Sequence, residues 1–153
     1  IFTPLLPPNM NQVFLVKPDD VQDIWYDVRP LIEKPLTHSE GAMTSSDVLR
    51  LILTEQFQLW VGFTKDSIAT ALITEIITYP RHRILRVHTW ATDTGHDFNI
   101  WYEPSLKALE NFAGMLECSA LEAWCRKGLA RKLDWENEYS VIVRPIKPKP
   151  KGD

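Results

Sequence analysis

The chain of 153 residues has the size of one domain, and its 44% hydrophobic and 24% charged residues suit a single packed core. Its formal net charge of -3 gives no electrostatic reason to bind a polyanion, which sets DNA and RNA aside as partners. No apolar run reaches the roughly 20 residues that cross a bilayer and no secretory signal is visible, so no membrane partner and a cytoplasmic location are expected.

In chain order, the proline-rich IFTPLLPPN of residues 1–9 reads as a leader or extension before Met10, or as an apolar peptide able to dock on a groove. The domain itself is expected to span residues 10–146. NQVFLVKP is a short strand stopped by Pro18. Asp19 and Asp20 can cap a helix in which Val21, Ile24, Trp25, Val28 and Leu31 recur at helical spacing, with Pro30 expected to kink or shorten its last turn. A loop holding Pro35 and Gly41 leads to a second helix, capped by Thr44 or Ser45, with Val48, Leu51 and Ile52 on one side.

Three antiparallel strands are then predicted: FQLWVGFT, SIATALITEIITYP after a hairpin-length link at Lys65 and Asp66, and RHRILRVHTWAT after Pro80. Past the Gly95 loop, Pro104 suits a helix's first position, and Leu106, Leu109, Phe112, Ala113 and Leu116 mark the buried stripe of a helix over 104–117. A strand at 120–124, a short helix at 126–133 and a closing strand at 139–146 complete the domain, and KPKPKGD at 147–153 should be a mobile tail. Cys118 and Cys125 bracket an extended run that holds them roughly 23 Å apart at about 3.3 Å per residue, too far for a disulfide. They are expected to be free, buried or half-buried thiols, and no spacing of cysteines or histidines suggests a metal site.

The order β, α, α, β, β, β, α, β, α, β, with LARKLDWENEYSVIVRPI closing it, resembles the GNAT superfamily of N-acetyltransferases. LWVGFTKDSIATALITEIITYPRHRILRVHTWAT together with CSALEAWCRKGLARKLDW looks like the small GNAT-like proteins of tailed phages and prophages. The resemblance implies an α/β fold with a mixed, mostly antiparallel sheet flanked by helices on both faces. It also implies acetyl-CoA as cofactor and an amine as acceptor. In that family the cofactor's diphosphate rests on a glycine-rich loop between the fourth strand and the next helix, where backbone amides offset phosphate charge.

Here the region is ATDTGHDFNIWYEPSL, with one glycine and with Asp93, Asp97 and Glu103 adding negative charge. Thr89, Trp90, Thr94, Gly95 and His96 are the residues left to hold the cofactor, the amides of residues 94–97 serving as a shallow anion nest. For the chemistry, His88 and Glu75 are the available bases, with strand backbone near His88 to Trp90 as oxyanion donor. Each has a plain alternative: Glu75 facing solvent, His88 a hydrogen-bonded sheet histidine. The family's tyrosine acid falls on Ala130, and Tyr139 of the closing strand is the substitute. Trp90 and Trp101 could stack on an adenine or sit in the core. An N-acetyltransferase with a degenerate cofactor loop is one reading. A non-catalytic phage virion component, or a binder of a phage or host protein, is the other.

Overall fold

The computed structural model describes residues 11–36, 43–65 and 67–146. The proposed leader, Met10, Gly41 and the tail lie outside the described residues. The elements are β1 (Val13–Leu15), α1 (Pro18–Leu36), α2 (Ser45–Leu53), β2 (Phe57–Phe63), β3 (Ile68–Thr78), β4 (Arg83–Thr92), α3 (Phe98–Met115), β5 (Ala120–Ala123) and α4 (Lys127–Leu133). The strands lie in the order β1-β2-β3-β4-β5. The first four are antiparallel neighbours, and β5 joins β4 in parallel. This is the mixed, mostly antiparallel sheet expected.

Alternation along the strands sends side chains to opposite faces, and helices cover both. On one face Val21, Ile24, Val28 and Ile32 of α1 and Val48 and Ile52 of α2 pack on Leu59, Val61, Ala71 and Ile73. On the other, Trp101, Leu109 and Ala113 of α3 and Leu133 of α4 pack on Trp60, Leu72, Leu85, Val87 and Trp90. α3 lies so close to β2 that a Cβ on Gly62 would fall 2.5 Å from Trp101 Cζ3. Glycine is therefore required there by contact.

Four sequence expectations change. Pro30 does not shorten α1, which runs through Pro30 and Pro35 to Leu36. The burial of Leu31 and Ile32 beyond the first proline outweighs one lost backbone bond, and Pro30 itself is exposed. α3 begins at Phe98, not at Pro104, which sits inside it. Its start is fixed by Asp97, whose side chain accepts from the amide of Asn99 at 3.0 Å. Cys118 and Cys125 are free as expected, but Cys125 is exposed.

The closing strand does not form. Residues 134–146 have neither helix nor strand, and all from Glu136 to Ile146 are exposed. β-branched composition gives local preference only, and without a ladder partner the strand has nothing to hold it.

Candidate active site at the parting of β4 and β5

β4 has two halves. From Ile84 to Val87 it is flanked by β3 on one side and by β5 on the other, where Ile84 faces Ala120 and Val87 faces Ala123. The last link to β5 is a long bond from the amide of Trp124 to the carbonyl of Val87, 3.4 Å. Beyond it β4 continues to Thr92 with β3 alone.

At this point β4 carries a bulge. Thr74 of β3 pairs with Val87 and Ile73 with Thr89, so His88 is an extra residue without a register partner. A bulge re-aims the side chains around it. Register puts Phe57, Glu75 and Arg86 in one cross-strand row, and the bulge turns His88 to the same face. His88 Nε2 lies 2.8 Å from Glu75 Oε1, and the ring stacks on Phe57 with centroids 4.7 Å apart at 30°. Side-chain exposures of 26% for His88 and 31% for Glu75 leave the pair reachable from solvent.

The geometry assigns the imidazole's roles. A carboxylate only accepts, so Nε2 is the donor of this pair and Nδ1 is the ring nitrogen left to accept. The sequence thus nominated His88 and Glu75 separately, and the fold joins them. Phe57 and the bulge were not foreseen. A neighbouring group holds its own charges: the Arg86 Nε donates to Glu122 Oε1 at 2.8 Å, Nη2 donates to the Tyr79 hydroxyl at 3.2 Å, and the guanidinium lies 4.0 Å over the Trp124 ring.

Thr89 and Trp90 point to opposite faces of the unaccompanied half of β4, each 5% exposed. Thr89 Oγ1 and Trp90 Nε1 are both buried without a hydrogen-bond partner. Trp90 and Trp101 are core residues, so the packing alternative describes them. Trp90 stacks on Tyr102 at 5.7 Å and 12° and meets Phe98 and Trp135. The Trp135 indole donates to the Tyr102 hydroxyl at 3.0 Å, which ties the chain after α4 to α3.

The turn from Thr94 to His96 is open rather than cradling. A side chain at Gly95 would meet no atom within 4 Å. The His96 amide donates to the Asp93 carbonyl, and the Asn99 and Ile100 amides donate to the Asp97 carboxylate and carbonyl. The first turn of α3 therefore already holds a carboxylate. Lys132 Nζ stands 5.1 Å over the Phe98 ring as a cation at that end. Tyr139 is 77% exposed in the coil after α4, and no interaction ties it to the dyad.

The comparisons with known proteins bear on this geometry. No protein-family profile matches the chain, and no curated protein matches it in sequence. Solved structures do match. An aminoglycoside acetyltransferase from an uncultured soil metagenomic sample, solved with sisomicin, superposes with a TM-score of 0.68 at 14% identity, covering 92% of this chain and 98% of that one. A ribosomal-protein-alanine N-acetyltransferase from Brucella melitensis gives 0.70 at 12%, covering 90% and 100%. A GNAT family acetyltransferase from Staphylococcus aureus gives 0.65 at 10%, covering 89% and 98%. The chain has the fold of the GNAT acetyltransferases. Among the described residues no helix is long and apolar enough to cross a membrane.

Proposed function

We propose that the protein is an amine N-acyltransferase taking its acyl group from a thioester such as acetyl-CoA. The observation that carries the reading is the Glu75–His88 pair, seated on a bulge where β4 loses β5. A bound donor supplies an electrophilic carbonyl carbon and a thiolate leaving group. The chain's residues do the rest. His88 Nδ1 takes a proton from the substrate ammonium so that the neutral amine can form the C–N bond as the C–S bond breaks and the thiolate leaves, while Glu75 holds the ring and Phe57 fixes its plane. The backbone of the uncovered half of β4, from His88 to Trp90, lies beside the reacting carbonyl as hydrogen-bond donor.

The fit to acetyl-CoA differs along its length. The thioester arm suits the uncovered half of β4, where Thr89 and Trp90 keep buried polar atoms unpartnered. The nucleotide diphosphate does not suit the turn of Thr94, Gly95 and His96, because the Asp97 carboxylate holds the Asn99 amide and the His96 and Ile100 amides donate to the carbonyls of Asp93 and Asp97. The cofactor loop is on this reading degenerate, and nucleotide binding is weak. The test is thiol release from acetyl-CoA with a panel of primary amines. Turnover is expected, falling about 100-fold or more in His88→Ala. No turnover on any amine and no thermal shift at saturating acetyl-CoA would reject the proposal.

A second reading, a non-catalytic protein of phage type that binds a host factor or sits in a virion, is favoured by the same Asp97 cap and by Ala130 in place of a tyrosine acid. It predicts the protein in purified particles or in a stable complex, with an inert Glu75–His88 pair.

A further inference from the structure

Among the described residues three threonines are buried, Thr70, Thr74 and Thr89. Thr74 Oγ1 accepts from the Trp60 indole at 2.9 Å and donates to Gln58 Oε1 at 2.9 Å. Thr70 Oγ1 donates to the Ala91 carbonyl at 3.0 Å. Thr89 Oγ1 is the exception, buried with no hydrogen-bond partner. A hydroxyl left in that state destabilises the fold, so its presence asks for a reason.

Its place in the sheet supplies one. Thr89 lies opposite Ile73, two residues along β3 from Glu75, so Thr89 and Glu75 share a face. The bulge turns His88 to that face as well, where it meets Glu75. His88 and Thr89 are therefore consecutive side chains on one face, which regular alternation forbids. Thr89 is also the second residue past the last bond from β5, so the strand edge beside it is open. Arg86 of the same face gives Nε to Glu122 and Nη2 to the Tyr79 hydroxyl. The Thr89 hydroxyl has no such commitment.

We infer that Thr89 Oγ1 is a catalytic side-chain donor to the reacting carbonyl oxygen, acting beside the backbone amides of the uncovered half of β4; the inference rests on the acyl transfer proposed above. His88 Nδ1 takes one proton from the ammonium, and the nitrogen bonds to carbon and passes its second surplus proton to the thiolate released as the C–S bond breaks. Thr89 donates its hydrogen bond to the oxygen while negative charge grows there, and transfers no proton. A hydroxyl held by packing, with no earlier bond to give up, strengthens its interaction only as that charge develops. Such a donor lowers the barrier instead of tightening the resting complex.

The test compares the full wild-type chain with Thr89→Val, Thr89→Ser and Thr74→Val. Valine replaces the hydroxyl by a methyl of similar size, so Thr89→Val should melt no lower than wild type, whereas Thr74→Val strands Trp60 and Gln58 and should melt lower. With acetyl-CoA and the best amine of the panel, Thr89→Val should lose about 100-fold in kcat. KM for both substrates should change little, and the pH profile should keep its shape because the hydroxyl does not titrate. Thr89→Ser, which keeps the hydroxyl, should recover most of the turnover. Full turnover in Thr89→Val, a serine variant as slow as the valine one, or a Thr89→Val chain that melts as low as Thr74→Val would each overturn the inference while leaving acyl transfer in place. A wild type inert on every amine would reject the acyl transfer itself, and this inference with it.

Discussion

The two halves of β4 share a strand but not a setting. From Ile84 to Val87 the strand is flanked on both sides, and Leu85 and Val87 are buried in the cluster under α3. From His88 to Thr92 one flank is open, and here stand the bulge, the half-exposed His88 and two buried polar atoms without partners. Closed ladders leave no room for reacting groups, and their side chains contribute stability. Where the ladder parts, the backbone is free to meet a ligand. Substitutions of buried residues in the first half should therefore change folding, whereas His88 in the second should change function.

The largest expected effects test this division directly. Leu85→Ala removes a fully buried side chain and should cost about 2–5 kcal/mol, read as a lowered denaturant midpoint. His88→Ala, one bulge away, should move that midpoint little while cutting turnover about 100-fold or more. The reverse pattern, a fragile His88→Ala fold with intact activity, would break the comparison. Gly62→Ala comes next. Its methyl meets Trp101 and the Thr70 methyl inside 3 Å, so a loss of about 1–3 kcal/mol from overpacking is expected in thermal melts.

How much was legible beforehand follows from the range of the forces involved. β2, β3 and β4 and their hairpins were readable because alternation and turn chemistry are local. The second helix announced itself through Thr44, which caps it with Asp47 in a reciprocal pair. Glu75 and His88 could be nominated, but their meeting depends on one extra residue in β4, and a bulge leaves no mark in the residue types around it. Asp97 was read as charge near a phosphate when its first task is to start α3, six residues before Pro104. The closing strand failed for the opposite reason. Its local signal is strong, yet a strand exists only where another chain segment pairs with it.

A smaller effect belongs to the remote side of the fold. The Thr44 amide and hydroxyl donate to Asp47 at 3.0 and 2.9 Å. These bonds, the backbone one foremost, with help from Arg50, hold the Asp47 carboxyl below its ordinary 3.8. A depressed folded value means stability that is present above about pH 4 and lost as pH falls through the folded value. Thr44→Ala should lower the melting temperature at neutral pH, with a smaller difference from wild type once acid has protonated Asp47, and should leave turnover unchanged.

The finest test returns to the open half. Asp97→Ser keeps a side-chain oxygen to cap the Asn99 amide and removes the negative charge from the first turn of α3. Serine and aspartate cap helices about equally well, so the melting temperature should barely move. The helix end, relieved of its own carboxylate, then offers positive potential to an incoming phosphate, an effect of about 0.3–1 kcal/mol at an exposed terminus. Acetyl-CoA should bind about two- to five-fold more tightly by calorimetry, and the gain should shrink as salt is raised. An affinity that stays flat, with the cap intact, would mean that no diphosphate approaches this turn and that the parted half of β4 serves a ligand without one.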